Sequence, residues 1–303
     1  MEPISVMITR EPKPKYTDPA KLGFGKLFTD HMFTMKYEQG RGWYEPTIEP
    51  YHNLQMDPAC MVLHYAQAIF EGLKAYKDDK GEILLFRPRS NFERLNRSAS
   101  RMRIPTVDID LVMEGLKKLL ALEEDWIPTA PGTSLYIRPT LIATDNYIGV
   151  KASSTYLFYI ILSPVGPYYP EGFNPVKIYV EDEYVRSVKG GTGEAKAACN
   201  YAQSLLAGEI AKDKGYTQVL WLDGIHHKYI EEVGSMNICF VIDGVLVTPK
   251  LQGSILPGIT RDSVLALARS MGIKVEERLV SIDEIYEAQA AGKLDEVFGT
   301  GTA

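Results

Sequence analysis

The stretch KGGTGEAKAACNY, residues 189–201, decides how the rest of the chain is read. One lysine, Lys196, stands among small residues, and Tyr201 follows five places later. Small neighbours remove bulk around the amine, and glycines let the approaching backbone turn where other residues resist. A large flat partner can therefore lie directly against Lys196. That environment suits an amine that bonds an aldehyde cofactor such as pyridoxal phosphate. The stretch lacks the closing Gly-Lys-Ser/Thr of a nucleotide phosphate loop. A helix is expected over residues 197–212, starting just after Lys196, with Tyr201, Leu205 and Leu206 inward. Most lysines are solvated surface charges, so partners for Lys196 must come from elsewhere in the chain.

C-terminal to this helix, residues 218–222 read as a strand closed by Asp223-Gly224. Residues 237–242 and 245–248 flank Asp243-Gly244, a strong hairpin signal. N-terminal to Lys196, Val176, Ile178 and Val180 alternate with Lys177, Tyr179 and Glu181, which is strand spacing. The segment SPVGPYYPEGFNP, residues 163–175, is too rich in proline and glycine for helix or sheet and reads as a linker. Ahead of it, residues 156–162 form a continuous apolar run expected as a buried strand. Helices are expected over 91–102 and 110–122. In the second, Val112, Leu116, Leu119 and Leu120 share one face and Asp110 is the candidate N-cap. Residues 83–86 read as a short strand, and the chain up to Gly25 as a polar arm and loop. His64 lies in LHYAQAIFEG, an apolar helix pattern. No internal repeat is visible. Strands and helices mix on both sides of the linker, which implies two α+β domains, residues 1–162 and 176–303.

The 303 residues are 45% hydrophobic and 24% charged, the profile of a soluble globular protein with a sizeable core. A formal charge of -6 argues against nucleic acid or an anionic membrane as the main partner. The three cysteines, Cys60, Cys199 and Cys239, show no metal spacing and make a poor disulfide framework, which fits the cytoplasm. The opening MEPISVMITREPKPKY has no secretory or transit pattern. LFYIILSPVG is too short to span a bilayer and is broken by proline.

A phosphate needs fixed donors and a cation. LPGITRDSVLALARSMG, from Leu256, supplies a loop running into a helix whose apolar face is Val264, Leu265, Leu267 and Ala268. Backbone N–H groups near Ile259 and Thr260 make an anion site there, with Gly258 allowing close approach. The plain alternative is an ordinary helix capped by Thr260. Arg94, in NFERLNRSASRMR, is either the cation or one surface arginine of a basic helix. A pyridine ring needs a carboxylate opposite its nitrogen. YIEEVGSMN offers Glu231 and Glu232, which strand alternation puts on opposite faces, or a solvated acidic pair. A substrate carboxylate wants an arginine. SLYIRPT puts Tyr136 and Arg138 on one strand face with Ile137 opposite, either a pocket wall or a solvent-facing edge. FGTGTA, residues 298–303, has small residues whose backbone can hold an anion. His226-His227 has no partner at metal spacing, and no G-x-S-x-G elbow is present.

These segments together resemble the branched-chain-amino-acid aminotransferases, pyridoxal-phosphate enzymes of fold type IV. The match runs through FTDHM (28–32), HYAQAIFEGLKAY (64–76), FRPRSNFERL (86–95), SLYIRP (134–139), SPVGPYY (163–169) and KGGTGEAKAACNY. It continues through EEVGSMN (231–237), LPGITR (256–261) and FGTGTA, and so covers nearly the whole chain. The resemblance implies a small N-terminal α/β domain and a larger C-terminal pseudo-barrel domain that binds pyridoxal 5'-phosphate. It implies that Lys196 bonds the cofactor, Tyr201 its phenolic oxygen, and Glu232 its ring nitrogen. Arg94, Ile259 and Thr260 then hold the phosphate. Tyr136, Arg138 and the backbone of Thr302 and Ala303 hold substrate carboxylates, Thr302 also lying at the cofactor. Phe24, Tyr65, Phe70 and Tyr168 form the side-chain pocket, Ser235 stands behind the cofactor, and Val150 reaches into the partner's site in a homodimer.

The implied reaction is transamination between leucine, isoleucine or valine and 2-oxoglutarate, giving branched-chain 2-oxo acids and glutamate. D-Amino-acid aminotransferase and aminodeoxychorismate lyase share the fold, but SLYIRP and FTDHM favour the branched-chain group. A catalytically inert dimerising homologue is the alternative of another class. Two departures stand out. Ala198 and Cys199 replace two glycines common in the family, and the family continues past Ala303 for a further strand and helical region.

Overall fold

The computed structural model describes residues 2–16, 18, 21–167 and 174–302. The chain divides into two compact units, Met1–Gly172 and Phe173–Thr302, and the boundary falls inside the segment read as a linker.

The first unit is built on one sheet. Its strands are β1 (Ser5–Val6), β2 (His31–Glu38), β3 (Gly42–Pro50), β4 (Ala68–Phe70), β5 (Leu73–Lys77), β6 (Ile83–Leu85), β7 (Ser134–Ala143) and β8 (Thr155–Val165). The order is β1-β3-β2-β8-β7-β5-β6, with β4 also on β7. Among the described residues only the β1–β3 pairing of this sheet is parallel. The arm expected to be loop thus contributes an edge strand. The long central strand β7 is buried along most of its length, while β8 alternates half-buried and buried residues up to Leu162. β8 extends through Ser163, Pro164 and Val165, so the proline-rich segment begins inside the sheet.

Among the described residues of this unit there are three α-helices: α1 (Met61–Tyr65), α2 (Pro88–Arg101) and α3 (Ile109–Leu122). The apolar helix pattern around His64 holds for only five residues. Ala66 turns into the left-handed region at φ 50° and β4 follows. In α3 the expected residues Val112, Leu116, Leu119 and Leu120 are all buried. The cap differs: Asp108 accepts the Leu111 N–H at 3.0 Å, and Asp110 sits in the first turn. Asp108 has the extended backbone that a cap requires, while Asp110 is already helical.

The second unit holds β9 (Ile178–Glu181), α4 (Ala198–Ala202), α5 (Leu205–Asp213), β10 (Gln218–Leu222), β11 (Ile230–Val233), β12 (Met236–Ile242), β13 (Val245–Pro249), α6 (Ile259–Ser270), β14 (Val275–Arg278), α7 (Ile282–Ala290) and β15 (Leu294–Thr300). The sheet order is β14-β13-β12-β11-β10-β9, with β15 on β12. One edge of β12 is shared, its start pairing with β11 and its end with β13, while β15 runs along the other edge. Asp243 and Gly244 both take positive φ, which fits the tight β12–β13 hairpin. Ile238 and Phe240 pack into one core with Leu220, Val247 and Val280, and Cys239 into another with Leu265 and Ala268 of α6. Leu267, expected on that helix's apolar face, is exposed.

The single helix expected over 197–212 is broken at Gln203 and Ser204. Ser204 Oγ donates to the Tyr201 carbonyl at 2.8 Å, and a hydroxyl bonded to its own backbone favours a turn. The break rotates the second half. Ala207 and Ala211 pack on Val219 and Trp221, while Leu205 and Leu206, expected inward, are exposed.

The cap of α3 gives a direct test. Asp108→Ala is expected to lower stability by about 1 kcal/mol. Asp110 pairs with Arg89 on the surface, so Asp110→Ala is expected to cost less, roughly 0–1 kcal/mol. Urea unfolding of both variants checks this, and a larger loss for Asp110→Ala contradicts the assignment.

Candidate active site

Lys196 stands just ahead of Ala197, the N-cap of α4, and its Nζ donates to Tyr201 Oη at 2.9 Å. The loop that presents it is pinned from within. Asn200 Nδ2 donates to the carbonyls of Thr192 and Ala195, both at 2.8 Å, and Thr192 Oγ1 donates back to Asn200 Oδ1. Gln203 reaches the Arg186 carbonyl and ties the loop's start to the end of α4. The amine is thus placed by backbone and amide contacts on both sides of it.

On β11 the two glutamates diverge as alternation requires. Glu231 is half-buried and accepts from Ser254. It faces a cleft of about 130 Å³ that also carries Lys189, Asp223, His226 and Lys250. Glu232 is buried, 3% exposed. Asn237 Nδ2 donates to its Oε1 at 3.2 Å, and the Arg186 guanidinium stands in ionic contact with Oε2. Burial dominates its carboxyl and pushes it up to about 7, against the downward pull of Arg186. Lys196 is near enough to pull the same way, and Glu231 pushes it up.

Asn237 is a junction. It pairs with Glu232 on β11 and with Thr300 on β15, and its amide also donates to the Leu256 carbonyl at 2.9 Å. Leu256 opens the loop into α6. The N-cap of α6 is Gly258, with no side-chain cap, so Thr260 does not fill that role. A Cβ at Gly258 would meet Asn237 Oδ1 at 1.9 Å, so only glycine lets the loop lie this close. Ile259 and Thr260 begin the helix, where N–H groups and the dipole favour an anion. Thr300 Oγ1 is buried with no hydrogen-bond partner, and Thr302 is half-buried just beyond β15. Ser235 is exposed in the β11–β12 turn.

Within the first unit a second cluster forms. Arg138 Nη2 donates to Tyr136 Oη at 2.9 Å. The guanidinium stacks 4.5 Å from the Phe70 ring centre, and Phe24 packs edge-on against Tyr136 at 4.9 Å. Arg138 Nε is buried without a hydrogen-bond partner, a donor suited to a carboxylate. β7 lies inside the sheet, so this is not a solvent-facing edge. Ile137, expected on the opposite, outward face, is fully buried. Tyr65 is not part of this cluster; its hydroxyl donates to the Ile148 carbonyl in the loop that carries Val150, which is 86% exposed. Arg94 is no surface residue. It is 5% exposed and gripped by Glu71, Nε to Oε1 at 2.7 Å and Nη2 to Oε2 at 2.8 Å. Tyr168 and Ala303 lie outside the described residues.

Sequence reading missed Arg186, Asn237, Asn200 and Glu71. Arg186 sits ten residues before Lys196 with no motif around it. Asn237 carried a signal, a lone amide opening the apolar strand MNICFVI.

The residues present fit a phosphorylated pyridine aldehyde. An amine, a hydroxyl, a buried carboxylate and an uncapped helix start all occur in one unit, and the buried Thr300 hydroxyl is left without a hydrogen-bond partner. The family model for amino-transferase class IV matches residues 68–303. Branched-chain-amino-acid aminotransferase 2 of Bacillus subtilis is 59% identical over 300 residues, 99% of this chain and 82% of the relative. The crystal structure of Escherichia coli branched-chain amino acid aminotransferase superposes with a TM-score of 0.73 at 31% identity, covering 90% of this chain and 83% of that one. A T.th. branched-chain amino acid aminotransferase complexed with N-(5'-phosphopyridoxyl)-L-glutamate superposes with a TM-score of 0.67 at 26% identity, covering 89% and 82%. With a two-domain fold type IV architecture, and with a lysine, tyrosine and carboxylate gathered in the second unit, the chain belongs to the class IV aminotransferases.

Proposed function

We propose that the protein is a pyridoxal-phosphate-dependent aminotransferase that moves amino groups between branched-chain L-amino acids and 2-oxoglutarate. The observation that carries this is the Lys196–Tyr201 hydrogen bond in the unit that also buries Glu232. The relative named branched-chain-amino-acid aminotransferase 2, at 59% identity, supports the donor class. The phosphopyridoxyl-glutamate bound by the T.th. protein supports glutamate as the other partner.

Bound at this site, pyridoxal phosphate supplies an aldehyde that takes up amino groups and a ring that accepts electrons from Cα. Lys196 Nζ would take the Cα proton and return it two atoms along, across the amino nitrogen, a 1,3-shift that a single mobile amine can perform. Tyr201 Oη, accepting from Nζ, keeps that amine aimed. Glu232 holds a proton at the ring nitrogen and so maintains the ring's appetite for electrons. Ile259 and Thr260 bind the phosphate through first-turn N–H groups. In the first unit, Arg138 with Tyr136 binds a substrate carboxylate. Phe24 and Phe70 offer apolar contact to an aliphatic side chain.

The protein acts in this reading as a cytoplasmic homodimer. The exposed Tyr147, Ile148 and Val150 of one loop support a role for that loop against a partner. Among the described residues no helix is long and apolar enough to cross a membrane.

Two outcomes follow from these roles. With 2-oxoglutarate as acceptor, leucine is expected to be a better donor than alanine. Each further buried carbon is worth about 0.8 kcal/mol, so three give roughly one to two powers of ten in kcat/KM. Equal values for the two donors, or preference for a D-amino acid, contradict the substrate class. Glu232→Gln is expected to bind cofactor but lose roughly a hundredfold or more in kcat, the range for a positioned proton carrier. Glu231→Gln, on the other strand face, is expected to stay within a few-fold of the parent. The reverse ranking in steady-state assays makes Glu231 the ring's partner instead.

A further inference from the structure

We propose that Arg186 is the positioning residue that keeps Glu232 an anion, acting through the carboxylate and not on substrate. The inference rests on the reading that Glu232 faces the ring nitrogen.

The geometry is specific. Arg186 is 8% exposed, and its guanidinium contacts Glu232 Oε2. Its Nη2 also lies 3.3 Å from the Gly193 carbonyl and 3.5 Å from the Ser254 carbonyl. The Arg186 carbonyl is held by Gln203. The residue is thus fixed at four points, by Glu232, Gly193, Ser254 and Gln203. A carboxylate withdrawn from water prefers to take up a proton, and only a nearby cation opposes that.

The groups facing Glu232 can be enumerated. Arg186 precedes the lysine loop, Lys196 ends it, Glu231 is the neighbour on β11, and Asn237 on β12 is a neutral amide. When Lys196 is bonded to an aldehyde it no longer offers a full ammonium as counter-charge, and Glu231 repels. Arg186 is then the permanent cation of the set, because guanidinium stays protonated at every working pH. A neutral Glu232 could not stabilise a proton on the ring nitrogen. Burial pushes the carboxyl up and Arg186 pulls it down, so losing the cation leaves the upward push opposed only by weaker partners.

The test compares Arg186→Gln with Arg186→Lys in the holoenzyme. Glutamine can still donate to the Gly193 and Ser254 carbonyls but carries no charge; lysine keeps the charge. The readouts are the pH titration of the bound cofactor's absorption spectrum and the pH profile of kcat, with melting temperature as the check on folding. The acid limb and the spectral transition are expected to move up by roughly one to three pH units in Arg186→Gln. In Arg186→Lys they are expected to stay within about half a unit of the parent, well inside that range. A purely structural role would lower the melting temperature and leave both titrations where they were. The proposal is overturned if Arg186→Gln titrates like the parent while Glu232→Gln changes the spectrum. If Glu232→Gln also leaves spectrum and rate unchanged, the underlying assignment of Glu232 fails instead. Should Arg186→Gln not fold, Arg186→Lys decides alone: a shift as large as one unit or more there shows that charge is not what Arg186 supplies.

Discussion

A carboxylate buried in the middle of a sheet is the constraint on which the second unit depends. Removing an isolated carboxylate from water costs far more than a fold can absorb, so Glu232 must be surrounded by groups that replace its hydration. Arg186 faces one oxygen and Asn237 the other. Each is committed elsewhere as well. Asn237 reaches the Leu256 carbonyl and so fixes the loop into α6. Arg186 is tied through its carbonyl to Gln203, where α4 ends. The lysine loop, the start of α6 and the end of β15 are therefore registered on one carboxylate. Such networks are costly when half satisfied, which makes the site rigid and sensitive to single substitutions.

The first unit repeats the device with a different pairing. Glu71 is fully buried and receives two parallel hydrogen bonds from Arg94, with Asn91 adding a third donor at 2.9 Å. This fork-to-fork geometry is the arrangement in which a buried ion pair best offsets its desolvation. Nearby on the central strand, Arg138 is held less completely. One nitrogen finds Tyr136, another is buried without a partner, and the flat cation rests on Phe70. An arginine fixed by aromatic faces but short of one acceptor is prepared for an anion, whereas the Glu71-bound Arg94 is anchored before any ligand arrives.

Much of this was legible in the sequence, and the exceptions have physical reasons. Strands in continuous apolar runs and the Asp243-Gly244 hairpin appeared where expected, since burial and turn chemistry are local signals. Alternation alone separated Glu231 from Glu232. The helix after Lys196 misled because its break depends on one serine hydroxyl bonding back to the chain, and the exposure of Leu205 and Leu206 follows from that break. The α3 cap was misplaced by two residues because Asp108 and Asp110 are equally good caps by type, and only backbone conformation separates them. Arg186 and Glu71 were invisible for a deeper reason. Each has its meaning from a partner 46 or 23 residues away in the chain, and no spacing rule connects them. Tyr65, assigned by resemblance to the side-chain pocket, donates its hydroxyl to the Ile148 carbonyl, a contact with no signature in the sequence.

The most direct test of the central claim is to load the full chain with pyridoxal phosphate, reduce it with borohydride and map the modified peptide by mass spectrometry. One phosphopyridoxyl group on Lys196 is the predicted result. Modification of Lys189 or another lysine, or none at all with cofactor present in excess, would contradict the assignment of this loop as the centre of the chemistry.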